Sequence, residues 1–366
     1  MGCSCITQLL ECLFDWSSNI DEKLETHIIY LDFAKAFDTV PHTRLIHKLR
    51  QAGIRGKLLK WLENFLKGRR QRVVLRNGMS EWQNVSSGVP QGSILGPLLF
   101  LIYVNDIPGI ITTICKLFAD DTKVYNTIRC TTDCENLQID LNALSGWSDT
   151  WLLNFNVEKC VSLKLNEKEN YTYTLNGTAL NTVSQQKDLG ILISNNLHPR
   201  GHIQQIIKKA NQRIGLIKRC FTGLDNKIEI LYKTLVRPVL EYGANIWSPW
   251  QKKDIDALEA VQKRCLRLST KEITLESLED RRIFSDLCET YKILHGSYKL
   301  NPEKFFSHPT RRLRGHSLKL SKRFTYHDTF KFFFSNRVVE KWNSLPEEVV
   351  SAPTLSNFKR KLRKLR

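Results

Sequence analysis

The chain has 366 residues and an ordinary share of apolar side chains, enough for two or three domains with sizeable cores. Its formal net charge is +18, and residues 301–366 contain 16 Lys and Arg against 5 Asp and Glu. This asymmetry favours a polyanionic partner over the alternative, a simple solvated basic face. The longest apolar run, residues 94–104, is too short to span a bilayer and contains Gly and Pro, so composition argues against a membrane protein.

The ten cysteines are scattered along the chain and form no regular framework. This pattern favours reduced thiols inside a cell over disulfides. The close pairs Cys3/Cys5 and Cys130/Cys134 have no second pair or His at zinc-ligand spacing, which argues against a zinc site.

The first half of the chain predicts alternating helices and strands. An apolar stripe predicts a helix over residues 1–20, and a β-branched run predicts a buried strand over 26–33. Asp38 is interpreted as a helix cap near Pro41. Two helices are expected to end at glycines, and a hairpin is expected at an Asn-Gly pair. These three positions are Gly53, Gly68 and Asn77–Gly78.

A Gly-rich loop over residues 86–99 then leads into an apolar helix that continues to about Asn105. Gly92 and its neighbouring glycines permit close backbone approach, and Gln91 projects a donor and an acceptor from the loop. Such a loop is weak evidence for ligand binding by itself.

The later elements are predicted from the same signals. They are an amphipathic helix over 132–154, a hairpin at Asn176–Gly177, one strand over 187–193, basic helices from His202 onward, and a final basic helix from about Thr354.

The segment LFADDTKV (117–124) carries two adjacent aspartates, Asp120 and Asp121, at the tip of a predicted hairpin. Taken alone, a surface turn is the simpler interpretation, because Asp is a favoured turn residue. Asp32, however, ends the predicted buried strand, where a carboxylate is costly unless it faces a cleft or a cation. If the strands are neighbours, the three carboxylates converge and suit Mg²⁺. Two such ions, about 3.5–4 Å apart, would serve phosphoryl transfer.

Several motifs, in this order, resemble the reverse transcriptase of jockey-like non-long-terminal-repeat retrotransposons. The matching segments are YLDFAKAFDTVPH (30–42), SGVPQGSILGPLLF (87–100), FADDTK (118–123), FNVEKC (155–160) and KDLGILI (187–193). The similarity continues through YKTLVRPVLEYGANIW (232–247), YKILHG (291–296), RGHSLKL (314–320) and FFSNRVVEKWNSLPEEVV (333–350).

The resemblance implies an α+β fold: a right-hand polymerase palm, an antiparallel sheet with helices, with truncated fingers. It implies three regions: residues 1–195 as palm with partial fingers, 196–300 as helical thumb and connection, and 301–366 as a basic aromatic C-terminal region. The implied activity is RNA-directed DNA polymerisation. In this activity, a deoxynucleoside triphosphate is joined to a primer 3′-OH on an RNA template with two Mg²⁺ ions.

The resemblance also assigns roles to single residues. Asp32 and Asp120 would be the main metal ligands, and Asp121 the less direct third carboxylate. The Phe33 carbonyl would help to hold a metal, and Phe37 would be the steric gate against a ribose 2′-OH. Plain core packing is the alternative for Phe37.

Four further residues receive roles in the same way. Gln91, with Gly92 beside it, would lie over the incoming nucleotide or template. Lys159 would protonate the pyrophosphate leaving group, with a solvated lysine as the alternative. Gly190 and its neighbours would form the primer grip.

The implied partners are an RNA template, a DNA primer, their hybrid and deoxynucleoside triphosphates, with no membrane. The implied location is intracellular and nuclear. The family's endonuclease domain and early fingers strands have no counterpart here, so a loss of the triphosphate clamp is expected. The second hypothesis is therefore a catalytically inactive relic or a co-opted nucleic-acid-binding protein. A third, membrane binding through the basic tail, is disfavoured because no regular apolar face accompanies the final charges.

Overall fold

The computed structural model describes residues 4–309 and 314–365. The chain forms two compact units, one of Glu25–Ser184 and one of Met1–Leu24 with Gln185–Arg366. The predicted three-part division places its first boundary after residue 195, and it remains a prediction. The mixture of helices and sheet agrees with the predicted α+β class.

The strands, in chain order, are β1 Glu25–Leu31, β2 Arg70–Gln71, β3 Val74–Leu75, β4 Gly78–Met79, β5 Gln83–Asn84, β6 Ile114–Phe118, β7 Asp121–Ile128, β8 Val161–Leu165, β9 Thr174–Leu175, β10 Thr178–Ala179, β11 Asn181–Val183, β12 Gln185–Asp188 and β13 Ile191–Ser194.

The helices are α1 Cys5–Asp21, α2 Ala36–Thr39, α3 His42–Gln51, α4 Gly56–Leu66, α5 Leu95–Val104, α6 Thr131–Trp151, α7 Arg200–Cys220, α8 Ile228–Leu231, α9 Arg237–Glu241, α10 Ala244–Trp247, α11 Lys252–Leu266, α12 Leu278–Leu294, α13 Pro302–Phe305, α14 Asp328–Lys331, α15 Phe334–Arg337, α16 Val339–Asn343, α17 Glu347–Val350 and α18 Leu355–Lys364.

The unit Glu25–Ser184 is built on a five-stranded sheet in the order β11-β8-β1-β7-β6. All neighbours are antiparallel except β11 and β8, which are parallel. The central strand β1 is buried along its whole length, as its β-branched and aromatic composition predicts. The apolar stripe of the amphipathic helix predicted over 132–154, which is α6, is also confirmed, because Leu137, Leu141, Leu144 and Trp147 are buried and Trp151 is half-buried.

The two predicted Asn-Gly hairpins form differently. Asn176 and Gly177 both have positive φ and make the two-residue loop between β9 and β10, as predicted. At the first site, β3 and β4 pair with Arg76 and Asn77 as the loop, so Gly78 lies in a strand and the turn is one residue earlier than predicted.

The prediction of one strand over 187–193 is wrong. This stretch is a hairpin, in which Asp188 pairs with Ile191 around Leu189 and Gly190. Both loop residues have positive φ, with values of 45° and 89°. The Gly in the run marks this turn, and the apolar residues on either side of it belong to two strands.

In the second unit, α1 packs against α10 and α14, and the Phe14 ring makes edge contacts with Phe305, Phe330 and Phe333. A π-helical turn over Tyr232–Val236 separates α8 from α9. Pro238 follows it, and because proline has no N–H, the regular helical ladder is interrupted there.

A buried ion pair ties three helices of the second unit together. Arg337 of α15 holds both carboxylate oxygens of Asp286 on α12, at 2.8 and 2.9 Å. The side-chain amide of Asn245 on α10 donates to Asp286 at 2.8 Å. The backbone carbonyl of Asn245 accepts a hydrogen bond from Arg337, also at 2.8 Å. Burial raises the pKa of Asp286, and the charge of Arg337 opposes that shift.

Candidate active site

The sheet register brings the predicted carboxylate positions to one end of neighbouring strands. Leu31, the last residue of β1, lies opposite Thr122 of β7. Asp32 therefore follows the paired segment of β1, and Asp121 precedes the matching segment of β7. Asp120 sits in the two-residue turn between β6 and β7, after Ala119, whose φ is +55°. A left-handed φ at a residue other than glycine is uncommon, so this turn is a specialised one.

The three carboxylates differ in exposure. Asp120 and Asp121 are exposed, whereas Asp32 is partly buried. The Oδ2 atom of Asp32 is itself buried and has no hydrogen-bond partner. The Nζ atom of Lys159 lies 3.5 Å from it, and both side chains are substantially exposed, at 67% for the lysine and 42% for the aspartate. This is a weak, solvent-screened pair.

Backbone pairing explains why Lys159 lies beside Asp32. Phe33 forms an isolated antiparallel bridge with Phe155, and their rings stack at 4.7 Å. The Asn156 N–H donates to the Asp32 carbonyl at 2.7 Å. The short 3₁₀ turn Val157–Lys159 is thereby fixed next to the end of β1.

Cys160 also contacts the backbone of Asp32. Its Sγ accepts the Asp32 N–H at 3.4 Å, and burial raises the pKa of its thiol to about 11. The thiol is therefore neutral at ordinary pH and serves the backbone of Asp32 rather than acting as a nucleophile. The predictions did not single out Cys160, although it ends the quoted FNVEKC motif.

The Gly-rich loop is hydrogen-bonded to the segment that follows Asp32. The Val89 N–H donates to the Phe37 carbonyl at 2.7 Å, and the Gly88 N–H donates to the Val40 carbonyl at 2.8 Å. Gly88 has φ +83°, and a Cβ there would lie 2.6 Å from the Asp38 carbonyl oxygen. Only glycine fits this contact without displacing the backbone.

Asp38 was interpreted as a helix cap, and this interpretation is wrong. The N-cap of α3 is Pro41, which makes no side-chain cap bond. The Asp38 carboxylate instead accepts the side-chain amide of Gln91 at 2.9 Å. A signal was available, because Asp38 lies inside the same quoted motif as Asp32.

The remaining predicted residues lie near this loop. Phe37 is partly buried, and its ring packs on Phe100 of α5 at 4.7 Å. Gln91 and Gly92 are exposed, and Gly92 has φ +82° with open space around it. Arg69 donates to the Gly88 carbonyl at 2.7 Å and so supports the loop.

The carboxylate oxygens at the strand ends suit a divalent cation, because they are hard ligands. The Oδ2 atom of Asp32 also has no hydrogen-bond partner. Across residues 4–309 and 314–365, however, no three His, Cys, Asp or Glu side chains are gathered closely enough to hold a metal ion. Like charges repel, and the cation that Asp32 meets is Lys159. The strand ends meet as predicted, whereas the three side chains do not form one cluster.

In the second unit, Gly190 lies at the tip of the hairpin formed by β12 and β13. The Tyr242 hydroxyl donates to the Leu189 carbonyl at 2.9 Å, and a Cβ on Gly190 would lie 3.0 Å from the Tyr242 ring. The tip is therefore braced by an aromatic side chain. Among the described helices, none has the length and apolar character needed to cross a bilayer.

The chain is similar to known proteins over much of its length. The family described as "Reverse transcriptase (RNA-dependent DNA polymerase)" matches residues 4–191. The "Probable RNA-directed DNA polymerase from transposon BS" of Drosophila melanogaster is 29% identical over 267 residues, which are 68% of this chain and 29% of that protein. The "RNA-directed DNA polymerase from mobile element jockey" of Drosophila funebris is 28% identical over 254 residues, which are 65% of this chain and 28% of that protein.

Among solved structures, a Candida tropicalis telomerase in complex with a fragment of telomeric RNA aligns with 71% of this chain and 41% of its own. The identity is 12% and the TM-score 0.42. The matched segments span less than a third of the curated relatives' length. Because the family match covers more than half of the 366 residues, the chain belongs to the reverse transcriptase family, with relatives among the jockey-like non-long-terminal-repeat retrotransposons.

Proposed function

We propose that this chain carries the polymerase centre of an RNA-directed DNA polymerase, which extends a DNA primer on an RNA template. The observation that carries the proposal is the sheet register that brings Asp32 beside the Asp120–Asp121 turn. The five-stranded sheet with its helices would be the palm, and the segment with β2 to β5 part of the fingers. The helices from α7 onward would form the thumb.

Reverse transcriptases generally use divalent metal ions. In this chain, Asp32, Asp120, Asp121 and the Phe33 carbonyl would hold two Mg²⁺ ions. When bound, the ions would neutralise phosphate charge and lower the barrier to attack by the primer 3′-OH. The buried Oδ2 of Asp32 supports this assignment, because it makes no hydrogen bond and Lys159 is no closer than 3.5 Å.

The neighbouring residues would position the triphosphate and move a proton. Lys159, close to Asp32, would donate a proton to the pyrophosphate leaving group. Phe37 would exclude a ribose 2′-OH with its ring, which Phe100 supports from behind. Gln91 and Gly92 would lie along the nucleotide or template, with Asp38 fixing the Gln91 amide.

The second unit would hold the RNA–DNA hybrid through its basic helices. The last turn of α7 carries Lys218 and Arg219, and the last turn of α18 carries Lys361, Arg363 and Lys364. Each phosphate contact would add salt-sensitive affinity without reading sequence. The hairpin tip at Gly190 would be the primer grip, braced by Tyr242. A nuclear location is part of the proposal, since family members integrate by target-primed synthesis.

The second candidate function is that of a nucleic-acid-binding protein without polymerase activity. The observation that favours it is the net charge of +18 together with the ungathered carboxylates. Positioning dominates phosphoryl transfer, so ligands that do not converge would lose most of the rate.

Primer extension tests the first function. The wild-type chain should extend a DNA primer on an RNA template with Mg²⁺, and Asp120→Asn should lose at least a hundredfold in rate because a metal ligand is gone. Asp149→Asn, at an exposed position on α6, is the matched control and should extend normally. No extension by the wild type, or equal extension by wild type and Asp120→Asn, contradicts the polymerase proposal.

The same variant tests the second function. If Asp120→Asn retains a labelled RNA–DNA hybrid with an affinity that falls steeply with salt, binding is separated from catalysis. Retention that does not change with salt would count against binding through the basic helices.

A further inference from the structure

The second unit contains a cavity of about 670 Å³ between α12 and α18, in the size range of small-molecule sites. Five cationic side chains line it, against three carboxylates. The cations are Arg281, Arg282, Lys292, Lys359 and Arg363.

All three carboxylates of the lining already face a cation. Arg281 holds Glu241 through two hydrogen bonds, one of them 3.1 Å long, and reaches Glu276 at 3.4 Å. Lys292 lies 2.8 Å from Oε2 of Glu289. These contacts account for Arg281 and Lys292, and they leave three cations of the lining without a carboxylate partner there.

Arg282 is the most informative of the remaining cations. Its side chain is buried, at 4% exposure, yet neither Nη1 nor Nη2 has a hydrogen-bond partner. Burial lowers the pKa of this guanidinium, and the charges of Glu259 and Glu279 oppose that shift. A buried cation with open donors is costly unless an anion meets it.

Lys359 and Arg363 lie one turn apart on α18 and face the same cavity. The Arg363 guanidinium lies over the Phe284 ring at 5.5 Å. Three cations from two helices thus surround one space, and a guanidinium fork matches the oxygens of a phosphate group.

The cavity also contains an acceptor without a donor. The Oε1 atom of Glu289 is buried and has no hydrogen-bond partner. A bare anion would satisfy Arg282 and leave this oxygen unsatisfied. A ligand that carries both a phosphate and a hydroxyl or amino group would satisfy both.

We propose that this cavity is a binding site for the phosphate end of a nucleotide. Arg282, Lys359 and Arg363 hold the phosphate, and Glu289 accepts a hydrogen bond from the sugar or base. The nucleotide is either free or the terminal unit of a strand, because both present the same chemistry.

Lysine footprinting by mass spectrometry tests the site on the full chain. An acylating reagent labels Lys359 and Lys364, and deoxyadenosine 5′-monophosphate should lower labelling of Lys359 at least threefold while leaving Lys364 unchanged. Deoxyadenosine without phosphate should protect neither lysine. Arg363→Gln, a change at the exposed rim, should weaken protection about tenfold, and Lys299→Gln, at an exposed position outside the cavity lining, should have no effect. The footprint is read at Lys359, so it does not depend on polymerisation.

A 5′-phosphorylated single-stranded oligonucleotide separates the two sources of the phosphate. Protection by the monophosphate assigns the site to free nucleotides, and protection by both ligands assigns it to strand ends as well. Protection by the oligonucleotide alone assigns it to a strand. Equal protection by deoxyadenosine, or no protection by either phosphate ligand, overturns the proposal.

Discussion

Two carboxylate–cation pairs in this protein are chemically alike. They differ in exposure, in the number of their hydrogen bonds and in their place in the fold. Asp32 and Lys159 meet at 3.5 Å, in one contact, with the lysine mostly exposed and the aspartate partly exposed. Asp286 and Arg337 meet through two short hydrogen bonds, and their side chains are only 8% and 15% exposed. The first pair lies at the end of a strand, and the second lies among three helices.

This difference separates residues available for ligands from residues that hold the fold. An exposed pair contributes at most about 1 kcal/mol, so its members can exchange partners at little cost. A buried pair that loses one member leaves an uncompensated charge, which costs about 3–5 kcal/mol. The acidic site can therefore change without unfolding the protein, whereas the Asp286 network cannot.

The largest effect is expected from breaking the buried pair. Arg337→Leu strands the Asp286 carboxylate and should lower the free energy of unfolding by about 3–5 kcal/mol. Urea unfolding measures the loss, and faster amide hydrogen exchange in α10, α12 and α15 locates it. The double variant Asp286→Leu/Arg337→Leu removes both charges and should recover most of the stability. A single variant within about 1 kcal/mol of the wild type would remove the contrast between the pairs.

A smaller effect is expected from pH. Burial lowers the pKa of His202 to about 4, and Lys209 adds to the shift. The folded state therefore prefers the neutral ring, whose Nδ1 accepts the Leu192 N–H at 3.1 Å. The stabilisation is complete above pH 6.5 and is lost as pH falls towards 4, by about 2 kcal/mol between pH 7 and 5.

Urea titrations at several pH values check this dependence. His202→Gln should flatten the slope between pH 7 and 5 relative to the wild type. His47→Gln, at an exposed position, should leave it unchanged. An unaltered slope in the first variant would show that this ring is not the group responsible.

The smallest effect on stability is expected at the exposed pair. Lys159→Gln should change the free energy of unfolding by less than about 1 kcal/mol. If Lys159 protonates the leaving group, single-turnover primer extension should slow about a hundredfold. Lys57→Gln, an exposed lysine on α4, is the control for charge alone. A large loss of stability, or an unchanged rate, would place Lys159 outside the catalytic machinery.

Sequence alone predicted the positions that backbone pattern controls. The buried strand ending at Asp32 and the hairpin carrying Asp120 follow from residue alternation and turn chemistry, and their adjacency follows from the family resemblance. The apolar stripe of α6 follows from helical spacing alone.

Such patterns do not predict contacts between side chains that are far apart in the sequence. Asp38 looked like a local cap, but its partner Gln91 is 53 residues away. The tyrosine that braces Gly190 is likewise 52 residues further along the chain, at position 242. The ring of Phe37 illustrates the limit of motif reasoning, because packing on Phe100 suits both a gate and a core residue.

The contact between Gly88 and the Asp38 backbone also limits which substitutions this sequence can accept. Any side chain at Gly88 must displace the backbone of Asp38, so selection for the fold alone keeps glycine there. Asp120 is exposed, and selection for the fold alone does not retain it. In related sequences, a kept Gly88 with a lost Asp120 is the pattern expected when only the fold is under selection. Retention of both residues is expected where the proposed polymerase activity is under selection as well.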